Sequence, residues 1–354
     1  MRRIQLLALL LVIQAVVTPA YADTPPTVKL GFITDLSGVG AYWGTQSRVG
    51  IEMARDEINS KGGNLVVEFG DHTFKPTSAL SEAQKMLELD KVDALWVEFA
   101  PTAVAASSAA TLRKKLFLNN SAATSVLKSN PYAFKAYLDY ERGCREIGQL
   151  WKSRGVKQAG MIKLNAEFAE LCLKGAQSVF PDLKVVSYDF SADVSTQVLR
   201  MKSDGISAIF NVGLEADMLN MLKACRNLDY HPQIAVAEPD ALTPLVIETF
   251  PDVLEGVAAF GFPPIDAAFL ARLSEKLGTK TPKTPEAAAM AYTHARQIYT
   301  AVSSCPNREI ACITARMANI GADSTMQFVG WKNRIADYNF RLKEWQGGKL
   351  KVVK

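Results

Sequence analysis

The chain is poor in the groups most enzymes use. Its 354 residues hold three histidines, His72, His231 and His294, far apart in sequence and none beside a plausible nucleophile. GxSxG, HExxH and Walker motifs are all missing, which removes the usual signatures of serine hydrolases, zinc proteases and P-loop enzymes. There is no CxxC and no Cys/His cluster, so a zinc site is not expected. Charge of one sign is also scarce: the formal net charge is +4, and the basic residues are scattered without interleaved aromatics. That balance is too weak to propose nucleic acid as a partner. Paired acids such as Asp56-Glu57 fall on a predicted helix and read as a solvated face. No catalytic residue, cofactor or metal is therefore assigned.

Long apolar runs are missing too. Ile4 to Val17 falls short of the ~18 residues of a membrane span. It follows Arg2-Arg3 and precedes the A-x-A site Ala20-Tyr21-Ala22, the pattern of a secretory leader cleaved after Ala22. Removing it takes the net charge from +4 to +2. No cysteine stands at the cleavage point, so a lipid anchor is not indicated. In an oxidising compartment the five cysteines, Cys144, Cys172, Cys225, Cys305 and Cys312, permit up to two disulfides and leave one over. Cys305 and Cys312 enclose the short loop CPNREIAC and are the best candidates for a pair. Cys144, Cys172 and Cys225 could equally be buried thiols.

What is present is a folded chain of two domains, 48% hydrophobic and 21% charged. From Thr27 short β-branched runs alternate with segments of helical period: TVKLGFIT, a helix through Val49 to Ile58, NLVVEF, a helix after Pro76, VDALWV, a helix over 102–113, and KLFLN. The rhythm restarts after about residue 140 with a helix holding Ile147, Leu150 and Trp151. The strands QAGMIKL, KVVSYDF, ISAIFNV, QIAVA and GVAAFGF then alternate with helices. This predicts α/β architecture: two lobes with parallel-sheet cores. Residues 266–319 read as consecutive helices packing back on one lobe, and the tail from Met326 as strands closing a sheet edge. The expected lobes are 23–140 with 266–325, and 141–262 with 330–354, joined by a hinge of several crossings.

The stretch GFITDLSGVGAYWG raises the question of a dinucleotide loop. Its glycines, Gly38, Gly40 and Gly44, are spaced GxGxxxG, not GxGxxG. A chain exported through the general secretory pathway also meets little NAD. The loop reads instead as the rim of a cleft at the carboxyl ends of the strands, with Tyr42-Trp43 between the first strand and the first helix. Trp43 is either an exposed apolar wall there or core filler.

Together LSGVGAYWG, GIEMARDEINSKGG, DHTFKP, NNSAATS, the Phe134-Lys135 pair, FVGW and LKEWQGGK resemble the periplasmic solute-binding proteins of the leucine-isoleucine-valine type. These are the type I receptors of ABC importers, and the likeness spans essentially the whole mature chain. The resemblance implies a periplasmic, monomeric binder with no cofactor, which closes two hinged lobes on a small amino acid or related carboxylate and delivers it to a membrane permease. It places Trp43, with Tyr42, against the ligand side chain. Thr102 is the hydroxyl left in the turn after the third strand. Ala122 offers a carbonyl and Thr124 a hydroxyl. Phe168 and Leu214 stand where relatives carry tyrosine, and Glu238 or Asp240 would receive the ligand ammonium. An aromatic acid would suit the more apolar wall, and a sensory domain of the same fold would need the same cleft.

Overall fold

The computed structural model describes residues 25–189, 193–237, 242–280 and 282–353. The leader, its cleavage site, Glu238 and Asp240 lie outside them. The first lobe runs β1 (Val28–Thr34), α1 (Ala41–Ser60), β2 (Leu65–Asp71), α2 (Pro76–Glu88), β3 (Ala94–Glu98), α3 (Ala100–Leu112), β4 (Leu116–Asn120), α4 (Ser125–Ser129) and β5 (Ala133–Lys135). The second runs α5 (Tyr140–Ser153), β6 (Gly160–Leu164), α6 (Glu167–Gln177), β7 (Lys184–Tyr188), α7 (Ser195–Ser203), β8 (Ala208–Val212), α8 (Glu215–Asn227), β9 (Gln233–Val236), α9 (Pro244–Thr249) and β10 (Ala258–Gly261). The chain then returns to the first lobe with α10 (Ala267–Leu277), α11 (Pro285–Ser303), α12 (Ile310–Ala318), β11 (Phe328–Lys332) and β12 (Ile335–Tyr338). It ends in the second with β13 (Arg341–Trp345) and β14 (Leu350–Val352).

Each lobe is built on a seven-stranded sheet, ordered β11-β12-β5-β4-β3-β1-β2 in the first and β14-β13-β10-β9-β8-β6-β7 in the second. Strands β1 to β5 and β6 to β10 pair in parallel, β12 joins β5 in parallel, and β11, β13 and β14 add antiparallel edges. The interior of β3 is buried at every residue, as expected of a central parallel strand covered by helices on both faces. In both sheets the strand order reverses at the first strand: β1 lies between β2 and β3, and β6 between β7 and β8. The crevice outside the carboxyl ends at such a reversal is where an open α/β sheet takes its ligands.

The lobe boundary expected at residues 325–330 falls later. Ile335 pairs with Lys135, and the Tyr338 hydroxyl donates to the Ala136 carbonyl at 2.9 Å, so the β11–β12 hairpin completes the first sheet. The last crossing is at Asn339 and Phe340. A second difference is the start of α1, at Ala41 instead of near Val49. Tyr42 and Trp43 therefore belong to its first turn. Glycines also let α1 sit close to its neighbours: a Cβ on Gly50 would lie 2.0 Å from the Ala288 carbonyl oxygen of α11.

The structure joins Cys305 to Cys312, and Cys144 of α5 to Cys172 of α6. Closing loops of this length contributes roughly 2.5 to 3.5 kcal/mol each in the chain-entropy account. Cys225 is buried and free, its thiol pushed up to about 12 by burial.

The three crossings between lobes are held by groups that leave water. Lys135, 1% exposed, donates its ammonium to the carbonyls of Tyr137 and Leu138 at 3.3 and 2.5 Å. Burial pulls it down to about 8, against the pull of Asp139 and Glu167. His294 of α11 is fully buried between Gln297 at 2.8 Å and the Tyr338 hydroxyl at 2.6 Å. Since Tyr338 donates onward to Ala136, it accepts from Nε2–H of His294. The atom facing Nδ1 is Gln297 Oε1, and turning that amide over lets its NH2 donate to Nδ1 and gives the otherwise unpartnered nitrogen a partner.

Two outcomes are expected. Gly50→Ala gains about 1 kcal/mol of helix propensity but drives a methyl into a backbone carbonyl that cannot rotate away. Denaturant melts should show a net loss of about 1 to 3 kcal/mol; equal or greater stability would mean that α1 and α11 separate freely. Burial lowers His294 from 6.5 to about 4. As pH falls the unfolded chain takes up this proton first, so stability is lost between about pH 6.5 and 4, by up to about 3 kcal/mol. In His294→Asn that part of the acid slope should vanish from melts across the window; an unchanged slope would contradict the assignment.

Candidate functional site

The glycine loop that opens the crevice is closed on itself. Asp35, fully buried just after β1, accepts from the Gly38 N–H at 2.6 Å and the Gly40 N–H at 2.7 Å. A carboxylate thus occupies the donors a phosphate would need, and it caps the chain as it enters α1. Gly40 is further required because a Cβ there would meet the Phe99 ring at 2.6 Å, and Gly44 because a Cβ would lie 2.1 Å from the Asp35 carbonyl oxygen. These glycines serve close packing.

Glu98, the last residue of β3, is buried at the strand reversal. Its Oε2 accepts from the Thr34 hydroxyl at 2.5 Å. Its Oε1 accepts from Ser47 Oγ at 2.8 Å, Asn120 Nδ2 at 2.6 Å and the Trp43 indole N–H at 3.3 Å. Burial pushes this carboxyl above the usual carboxylate range, against the pull of those four donors. His72, also fully buried, sits against the Glu98 carbonyl at 3.3 Å, and its Nδ1 accepts from the Phe74 N–H at 3.0 Å. Burial lowers its pKa and keeps the ring neutral.

This knot decides where the expected site residues lie. Trp43 is 5% exposed, drawn in by Glu98 and covered by Tyr137 and Phe262 of the crossings, at ring distances of 6.0 and 6.5 Å. It is the buried end of an aromatic row that passes from Tyr137 to Tyr140 at 6.2 Å and on to Phe168 at 5.7 Å. Tyr42 is half exposed, and its carbonyl accepts from the Thr284 hydroxyl at 3.0 Å. Thr102 is fully buried, and its hydroxyl donates to the carbonyls of Glu98 and Phe99, so the structure does not present it to the crevice as a donor. The residue at the mouth of that turn is Phe99, held at φ 66° and ψ 142°. A non-glycine residue there costs about 1 to 3 kcal/mol and marks a position the surroundings impose.

Across the crevice, Glu167 opens α6 of the second lobe and reaches the Thr124–Ser125 turn of the first. Its Oε1 accepts from the N–H groups of Thr124 and Ser125 at 2.7 and 2.8 Å and from the Thr124 hydroxyl at 3.2 Å. Its Oε2 accepts from the Ser125 hydroxyl at 2.8 Å. Burial alone would raise this carboxyl, and the four donors outweigh it, holding Glu167 below the ordinary range. Thr124 and half-buried Ala122 thus share one turn with Phe168 opposite. Leu214 is the partly exposed residue ahead of α8, and its N–H donates to Asp217 at 2.8 Å. The phenol in this region comes from Tyr188, at the end of β7, which faces Asp217; burial, then that carboxylate, raise it beyond the usual range.

Glu98, Asp35, Glu167 and Tyr188 were missed as site residues from the sequence. A signal existed for Glu98, a lone acid ending the apolar run ALWVE. For Glu167, an acid in a first helical turn is too common to stand out. Two other concavities, about 520 Å³ beside Arg142 and Asp337 and about 470 Å³ beside Cys305, contain none of the residues expected to bind ligand. Among the described residues no cluster of three or more His, Cys, Asp or Glu is arranged to hold a metal, and no helix is long and apolar enough to cross a membrane.

Comparison with known proteins places this geometry. Over 380 aligned residues the chain is 25% identical to Leu/Ile/Val-binding protein homolog 7 of Brucella abortus, covering 96% of this chain and 94% of that one. Its fold superposes on an ABC transporter solute-binding protein from R. palustris in complex with 4-hydroxybenzoate (TM-score 0.78, 19% identity, 93% and 96% of the two chains). It superposes equally on a branched-chain amino acid transporter substrate-binding protein from Streptococcus pneumoniae in complex with isoleucine (TM-score 0.75, 19% identity, 92% and 98%). The family model described as periplasmic binding protein matches residues 27–349, and the chain belongs to that family.

Proposed function

We propose that this protein is the periplasmic receptor of an ABC importer, and that its lobes close on a small apolar amino acid or a related carboxylate without altering it chemically. The observation that carries the carboxylate is the Thr124–Ser125 turn. Two N–H groups and two hydroxyls converge there within 2.7 to 3.2 Å of a single carboxylate, that of Glu167. The remainder of the ligand would lie toward Phe168, the half-buried end of the aromatic row, with Tyr137 and the covered Trp43 behind it. The Ala122 carbonyl, with Glu238 or Asp240, would receive an ammonium. Capture at micromolar concentration takes about 8 kcal/mol. Three or four hydrogen bonds to a charged group, at ~1.5 to 3 kcal/mol each, and an apolar group on the row suffice after the losses of ordering.

The aromatic lining favours a second reading of the same site, an aromatic acid in place of a branched-chain amino acid. In either case the exported chain, cleaved after Ala22, works as a monomer. The first lobe with its returning helices and the β11–β12 hairpin moves as one body against the second. A membrane permease and its ATPase read the closed form.

A thermal-shift screen over amino acids, aromatic acids, amides and short dicarboxylates tests the reading. A ligand at a hundred times its Kd adds about 2.7 kcal/mol, enough for a rise of several degrees in a chain of this size. Carboxylates should raise the melting temperature, and Thr124→Val combined with Ser125→Ala should abolish the rise. If the best ligands are amides, or if the double variant responds as the parent does, the assignment of that turn fails.

A further inference from the structure

The carboxylate at the Thr124–Ser125 turn belongs to the protein itself. We infer that Glu167 is an internal clasp: it holds the two lobes together when no ligand is bound, and a carboxylate ligand must displace it. The second half of this inference rests on the function proposed above; the first does not.

Three observations carry the clasp. Glu167 opens a helix of one lobe, while its four donors belong to a turn of the other, so the bonds exist only while the lobes are together. Helix α6 is rigidly mounted: the Cys144–Cys172 disulfide ties it to α5, and a Cβ on Gly175 would come within 2.1 Å of the Glu141 carbonyl oxygen. Side-chain movement of Glu167 alone therefore cannot follow an opening lobe far, and separation must break the bonds. Finally, Lys135 lies buried at the first crossing with Glu167 among the acids that favour its charged form.

The consequence for specificity follows from population arithmetic. When donors are occupied by an internal group, the apparent affinity of any competitor falls by the fraction of molecules in which they are free. Ligands that bring their own carboxylate compete for the four donors. Ligands that lack one meet a crevice already closed.

The experiment compares the full mature chain with Glu167→Ala and Glu167→Gln by small-angle scattering in the absence of ligand, with circular dichroism to confirm folding. Expected are a larger radius of gyration in both variants and, by calorimetry with L-leucine and 4-hydroxybenzoate as probes, at least tenfold tighter binding of whichever probe the parent binds, or about 1.4 kcal/mol. Should either variant melt early, Thr124→Val with Ser125→Ala removes two donors from the other lobe and must open the ligand-free chain likewise. Folded variants whose ligand-free scattering matches the parent overturn the clasp. Opened variants with no binding of any carboxylate leave the clasp supported and remove the carboxylate function instead.

Discussion

The first lobe depends on one buried carboxylate. Glu98 ends the central strand at the point where strand order reverses, and a charge removed from water there is tolerable only if its lone pairs are met. They are met from β1 by Thr34, from α1 by Trp43 and Ser47, and from β4 by Asn120. One side chain thereby sets the spacing of two strands and the helix that overlies them. Loss of one donor would leave a lone pair of the buried carboxyl unmet, at a cost of about 1 to 3 kcal/mol. Trp43 is pinned as part of this arrangement, which is why it lies under Tyr137 and Phe262 and does not stand as a free wall.

The hinge uses the same economy. Lys135 spends its ammonium on carbonyls of the first crossing. Tyr338, at the end of the hairpin before the last crossing, donates to Ala136 beside the first. Phe262, on the second crossing, packs on both Tyr137 and Tyr338 at 5.4 and 5.9 Å. Three strands of chain are thus tied to one another by buried polar groups and ring edges, so any rotation of the lobes would have to involve all three together.

The alternation of strands and helices was legible because it follows burial: continuous apolar runs for central strands, a 3.6-residue period for their covering helices. The two lobes and the returning helices followed from it. What could not be read is what depends on one side chain choosing a distant partner. The start of α1 moved to Ala41 because Asp35 captures Gly38 and Gly40, and no periodicity reports a capture. The last lobe boundary moved because Tyr338 and Ile335 find partners two hundred residues earlier. Thr102 carries the right chemistry for a ligand donor, but its hydroxyl is consumed by the carbonyls behind it. Within the candidate site, the family resemblance pointed to Ala122, Thr124 and Phe168, while the acid one residue before Phe168 passed unnoticed.

That acid also bears on which ligand the crevice can take. Lys135 is buried, and the carboxylates of Asp139 and Glu167 are what favour its charge against desolvation. On the proposed function, exchanging Glu167 for the carboxylate of a ligand at the Thr124–Ser125 turn would keep one negative charge there, so the four donors would keep an ionised acceptor and Lys135 the nearby charge that favours its protonated form. A neutral ligand at the same turn would leave a buried cation with weaker compensation and donors facing a poorer acceptor. Hydrogen bonds to an ionised acceptor are roughly twice as strong as neutral ones, so the penalty falls on both sides of the exchange. On the function proposed above, discrimination would come from charge conservation inside the crevice, leaving the aromatic row to choose among acids by shape.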